Sequence, residues 1–217
     1  LFVDEEFKKE LLSKNIKLSS ANSINIGRLI PQVVYYVVSY LDLVNTNKIK
    51  LNDKVNFVVP TGNFGNILAG YYAEQIGLPV NKLICASNNN NVLYDFLTTG
   101  VYDKNRDFLK TVSPSMDILI SSNLERLLYY ISGCDNAYIA KLMKDLKETG
   151  RFEVTGEVLD KIKDKFQAGF ADDEQTKETI KAIYEKDNYL LDTHTAVAYK
   201  VLLDNLDNEH ASIVLST

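Results

Sequence analysis

The chain has 217 residues, 46% of them hydrophobic and 24% charged, with a net charge of −5. That composition is ordinary for a soluble domain with a sizeable core, and an acidic balance without a basic stripe argues against nucleic acid as a partner. Two cysteines, Cys85 and Cys134, far apart and without CxxC spacing, and only two histidines leave no disulfide framework and no metal site to expect.

Along the chain, Asp4–Lys14 reads as a short charged helix with Phe7, Leu11 and Leu12 on one side. A polar stretch, Leu18 to Asn25, precedes the apolar segment Ile24–Val44, which reads as a buried helix bent near Pro31, with the β-branched run at 33–38 making a strand the competing reading. The longest apolar run, Leu29–Leu43, is broken by Pro31, Gln32, Ser39 and Asp42 and is too short to span a bilayer. No signal peptide is visible, and the cysteine usage fits a reducing cytoplasm.

Val55–Val59 is a short apolar strand, Ile67–Ile76 a helix stopped by Gly77, and Lys82–Ala86 a second buried strand ending in Ser87-Asn88-Asn89-Asn90-Asn91. Strand, glycine loop, helix and strand predict a βαβ unit and a parallel sheet covered on both faces. Charged amphipathic helices follow over 92–97, 124–131, 137–147, 156–166 and 173–184, then a polar-capped helix after Asp192-Thr193-His194-Thr195 and a last strand at 211–215. We expect an α/β core over about 18–100 and 188–217 and a helix-rich segment over about 101–187.

Chemistry concentrates in "PTGNFGN", 60–66. A tight turn from a parallel strand into a helix leaves backbone N–H groups unpaired, and these with the helix dipole favour an anion. Gly62 and Gly65 let the backbone take positive φ and a ligand approach closely, while Asn63 and Asn66 can cap the first turn or donate amide hydrogens. The same residues would also serve a turn with no ligand. Neither GxGxxG nor Gly-Lys-Ser/Thr is present, so a bound monophosphate fits better than a dinucleotide or a reacting triphosphate. In "SSANSINIGRLIPQ", Ser20, Asn22, Ser23 and Asn25 supply polar groups, and Arg28 lies one turn beyond Asn25, where it could hold a phosphate or carboxylate or simply face solvent. His194, at a helix start, fits capping or packing better than base catalysis, and His210 reads as a loop residue.

The blocks "SSANSINIGRLIPQ", "PTGNFGNILAGYYAEQIGLPV", "ASNNNNVLYDFLTTGVY", "TVSPSMDI", "SSNLERLLYYISG", "DTHTAVAY" and "VLST", in this order, resemble threonine synthase from about Ser20 to Thr217. The resemblance implies an incomplete three-layer α/β parallel-sheet domain of the fold-type II pyridoxal-phosphate enzymes (the tryptophan-synthase-β type) with a helix-rich segment. It implies conversion of O-phospho-L-homoserine and water to L-threonine and phosphate. It further implies that Gly62, Asn63, Phe64, Gly65 and Asn66 cradle the phosphate of pyridoxal 5'-phosphate and that Thr217 bonds its pyridine nitrogen. Asn22, Ser23, Asn25 and Arg28 would lie on the substrate side.

The family's Schiff-base lysine lies in a Phe-Lys-Asp context upstream of the Ser-Ala-Asn-Ser-Ile-Asn block. Here Phe7-Lys8-Lys9 falls in a charged helix, so the role does not transfer and no catalytic residue is assigned. Asp192-Thr193-His194 has Thr where relatives often have Pro. The chain starts at Leu1 and stops just after a strand, from which we expect an excised segment of a longer protein; the resemblance, with the lysine region missing, implies a C-terminal piece of the enzyme. Such a piece would be inactive, would lack the cofactor and would tend to self-associate through exposed core surface. Two alternatives stay open: another fold-type II enzyme, such as a serine/threonine dehydratase or cysteine synthase, and a non-catalytic threonine-synthase-like domain that binds a phosphate ligand.

Overall fold

The computed structural model describes residues 4–18 and 22–216. Helix α1 (Glu5–Ser13) is capped by Asp4 and buries none of its residues. The segment after it forms a short α2 (Ile26–Leu29), a 3₁₀ turn at Ile30–Gln32 carrying Pro31, and α3 (Val33–Asn45). The bend falls at Pro31, as the sequence predicts, because the ring removes a donor and tightens the turn. The expected burial does not hold. Of α3 only Tyr36 and Tyr40 are buried, and Val34, Tyr35, Val38 and Leu41 are exposed.

The βαβ unit is β1 (Val55–Pro60), α4 (Gly65–Gln75) and β2 (Val80–Ser87), with β1 and β2 parallel. Then come α5 (Val92–Thr99), β3 (Val101–Asp103), α6 (Leu124–Ile131), α7 (Asn136–Thr149) and β4 (Arg151–Glu153). They are followed by α8 (Gly156–Lys165), β5 (Phe166–Phe170), α9 (Asp173–Asp187), α10 (Thr193–Asp204) and β6 (Ala211–Val214). The main sheet is parallel throughout, in the order β5-β2-β1-β6, and β3 pairs antiparallel with β4. Strand β5 was not predicted, so the segment 101–187 contributes an edge strand to the main sheet as well as helices.

Alternation along the strands builds three layers. Val55, Phe57, Val59, Leu83, Cys85 and Phe166 pack on the side that carries Tyr36 of α3, Leu68 of α4 and Ile162 of α8. Val58, Ile84 and Ala86 pack on Val197, Ala198 and Val201 of α10. Parallel strands bring the turns after β1, β2 and β5 to one edge of the sheet, where α/β proteins bind ligands. Among the described residues no helix is long and apolar enough to cross a membrane.

Candidate phosphate-binding site

At that edge the chain leaves β1 through Thr61, whose N–H still donates to Ala86, and turns over residues 62–64 into α4. Both glycines were expected to supply positive φ. The left-handed residue is instead Phe64 (φ 61°, ψ 8°). A side chain there costs about 1–2 kcal/mol, which burying the ring, worth about 2–3 kcal/mol, offsets. The ring is 1% exposed and lies 5.7 Å from that of Phe166. Gly62 serves close approach: a Cβ on it would lie 2.7 Å from the Ser115 carbonyl oxygen. A Cβ on Gly65 would meet Asn123 Nδ2 at 3.4 Å.

Neither asparagine caps the helix, and α4 has no side-chain cap. Asn66 lies under the Tyr36 hydroxyl, which is 2.8 Å from its carbonyl oxygen and 3.0 Å from its Oδ1. Burial pushes the Tyr36 phenol well up, so it remains a neutral donor. Asn63 Oδ1 accepts from Ser122 Oγ at 3.3 Å. The Gly62 carbonyl accepts from Ser121 Oγ at 3.0 Å, and that of Asn63 accepts from the Asn123 N–H at 3.1 Å and Nδ2 at 2.8 Å. Among the described residues no acceptor meets the N–H groups of Asn63, Phe64, Gly65, Asn66 and Ile67. The carbonyl ends of the turn are thus neutralised by neighbours and its N–H ends are left open, as a bound anion requires. The side chains hydrogen-bonded to the turn are Tyr36, Ser121, Ser122 and Asn123, none of them charged.

Two further segments frame the turn. Asn88 and Asn90, after β2, donate through Nδ2 to Asp117 Oδ1 at 2.8 and 3.0 Å, and Thr111 reaches the same carboxylate through its N–H (3.0 Å) and hydroxyl (2.7 Å). This hub fixes residues 109–117 so that Ser115 lies against Gly62, and His194 Nε2 accepts the Ser115 N–H at 3.2 Å. Asp192, and not His194, caps α10; it accepts the His194 N–H at 2.8 Å and so sets that histidine against Ser115.

On the other side lies the predicted substrate segment. Ser23 is brought to the turn: its carbonyl accepts from Asn123 Nδ2 at 2.9 Å, and its hydroxyl is 3.5 Å from Ser122 Oγ. Asn22 and Asn25 are exposed, and their Oδ1 atoms accept the Ile24 and Gly27 N–H groups. Arg28 is exposed on α2. Lys8 forms an exposed pair with Glu5 at 2.7 Å within α1. Ser20 and Thr217 lie outside the described residues; Ser216, the residue before the latter, is 3.3 Å from Thr195 Oγ1. The reading of the sequence assigned nothing to Ser121, Ser122, Asn123, Arg126, Asp117 or Tyr36. For all but Tyr36, which sits in the apolar run 33–38, the signal was present only as the polar runs "TVSPSMD" and "SSNLER".

No family model matches the chain. It is 44% identical over 201 residues to human "Threonine synthase-like 1", a match covering 92% of this chain and 27% of that protein. The crystal structure of pyridoxal-phosphate-bound threonine synthase from Brucella melitensis superposes with a TM-score of 0.90 at 42% identity, covering 100% of this chain and 44% of that one. Yeast threonine synthase gives 0.87 at 38%, with coverage of 100% and 44%. The chain therefore spans less than half the length of these relatives.

Proposed function

Because the chain belongs to the threonine synthase family, with the α/β architecture of the fold-type II pyridoxal-phosphate enzymes, we propose that its turn 62–66 anchors the phosphate of pyridoxal 5'-phosphate. The complete gene product then converts O-phospho-L-homoserine and water to L-threonine and phosphate. The observation that carries this reading is the open row of N–H groups from Asn63 to Ile67, with both neighbouring carbonyls tied back. The fit is that of an anchored monophosphate: many backbone donors, close approach, and no lysine to pull on a reacting phosphoryl group.

The bound cofactor would supply an electron sink for the carbon atoms at which the substrate reacts. The residues of this chain bind and orient. The N–H groups hold the phosphate, Phe64 pins the turn to the core, and Asp117 and His194 hold Ser115 against Gly62. Asn22, Ser23, Asn25 and Arg28 face the substrate, with Arg28 suited to a phosphate or carboxylate. Thr217, which lies outside the described residues, would offer its hydroxyl to the pyridine nitrogen. Lys8, paired with Glu5 in a helix that buries none of its residues, is given no part in holding the cofactor, and on this reading the chain by itself is inactive.

A second reading, a non-catalytic phosphate-ligand domain, is favoured by the 44% identity to a protein named only as threonine synthase-like. Threonine formation and phosphate release from O-phospho-L-homoserine by the complete gene product separate the two. The enzyme reading expects both products, with Gly62→Ala weakening cofactor binding by at least about tenfold because the new Cβ strikes a backbone carbonyl. Cofactor binding without threonine would establish the second reading.

A further inference from the structure

Segment 22–25 and turn 62–66 are far apart in sequence, yet the reading above asks them to hold two parts of one reacting assembly. No hydrogen bond joins them directly among the described residues. What joins them is the start of α6. Asn123 is fully buried, and its Nδ2 donates one hydrogen to the Asn63 carbonyl at 2.8 Å and the other to the Ser23 carbonyl at 2.9 Å. Its N–H reinforces the bond to Asn63 at 3.1 Å. Its Oδ1 accepts from Arg126 Nη1, one turn along the helix, and Arg126 Nη2 donates to the Ile24 carbonyl at 2.7 Å.

The side-chain amide has two donors and one acceptor atom, and all are engaged. An amide so placed has one orientation, because a flip would set its oxygen against two carbonyl oxygens. Arg126 enforces that choice by bonding the oxygen, and its second arm ends on the neighbour of Ser23. Charge-assisted bonds of this kind are the stronger class, and a planar fork fixes geometry as a lysine point charge does not.

We propose that Asn123 and Arg126 are positioning residues that set the spacing between the phosphate turn and the substrate segment, so that an anion held at 62–66 orders 22–25. This rests on the assignment of the turn as a phosphate site. Neither residue needs to touch the ligand. Both act through the carbonyls of Asn63, Ser23 and Ile24.

The test is amide hydrogen exchange of the full chain, with and without inorganic phosphate, for the wild type, Arg126→Met and Arg126→Lys. Methionine keeps much of the apolar stem and removes both donors, and lysine restores one charged donor. In the wild type, phosphate should slow exchange at Asn63–Ile67 and also, by at least about threefold, at Ile24, Asn25 and Gly27. In Arg126→Met the turn should still be protected while protection at Ile24–Gly27 disappears, and Arg126→Lys should recover part of it. The amides of α9, remote in sequence and bonded within their own helix, should be unchanged in all three. Phosphate protection at Ile24–Gly27 persisting undiminished in Arg126→Met would overturn the proposal, as would loss that includes α9 equally. A wild type whose turn gains no protection from phosphate would overturn the site assignment itself, a result distinct from either.

Discussion

The two edges of the parallel sheet are both polar, and they differ in how completely their groups are matched. At the edge where the strands begin, Asn56 is 2% exposed within β1 and donates to Asp207 Oδ2 at 3.1 Å and Ser212 Oγ at 3.3 Å, while Asn81 donates to its Oδ1 at 2.9 Å. Asp207 also accepts the Glu209 N–H at 2.7 Å and lies 2.8 Å from His210 Nδ1. There the side chains bond one another. At the opposite edge the carbonyls of Gly62 and Asn63 are satisfied and the N–H groups beyond them are not. A saturated cluster costs little to bury and has nothing to offer a ligand, whereas one-sided, pre-arranged donors are costly until an anion fills them. The same residue type, asparagine, serves both purposes, so the partner list separates structure from site where residue identity does not.

The largest expected effect is at the hub beside the turn. Asp117→Ala should lower unfolding free energy by about 3 kcal/mol, since it removes the carboxylate that accepts from the amides of Asn88 and Asn90 and from the N–H and hydroxyl of Thr111. It should also weaken phosphate binding, because Ser115 loses its support. Chemical denaturation and a phosphate titration check both. Asn56→Ala at the other edge should cost about 2 kcal/mol and leave phosphate affinity within about twofold. If Asn56→Ala weakened phosphate binding as much as Asp117→Ala, the contrast between the edges would fail.

A smaller effect is in pH. The Glu209 N–H, then the Asn56 amide and His210, hold the Asp207 carboxyl down at about 2 from an ordinary 3.8. A depressed carboxyl contributes stability above its unfolded value that is lost as pH falls towards the folded one. The stability gap between the wild type and Asp207→Asn should therefore narrow as pH drops from about 5 to about 2. A gap that is flat across that window would show that the carboxylate is not stabilised there. The smallest effect is in thiol chemistry. Burial pushes the Cys85 thiol up to about 12 against weaker hydrogen bonds from Thr61 and Ser87, while Cys134 is exposed. Native alkylation should label Cys134 alone, and both should react in denaturant.

Local features of this fold were legible in the sequence. A buried strand, a Gly-containing turn and a helix stop at Gly77 are written in adjacent residues, and β1, α4 and β2 follow within a residue or two. What escaped depends on distant partners. "FQAGF" directly follows a charged helix and contains a glycine, and only pairing with β2 makes it a strand. The apolar face of α3 pointed to burial, yet half of it meets solvent. The resemblance singled out the turn 62–66 but not the residues that support it. Asn123 bonds partners 60 and 100 residues away, and no spacing rule connects them.

The most direct measurement is a titration of the isotope-labelled chain with pyridoxal 5'-phosphate, followed by amide resonances, beside an identical titration with pyridoxal. The account predicts saturable shifts at Asn63–Ile67 with the phosphorylated form, far weaker ones with pyridoxal, and none at Asn56, Asn81 or His210. Equal responses to both compounds, or no saturable shift in the turn, would contradict it.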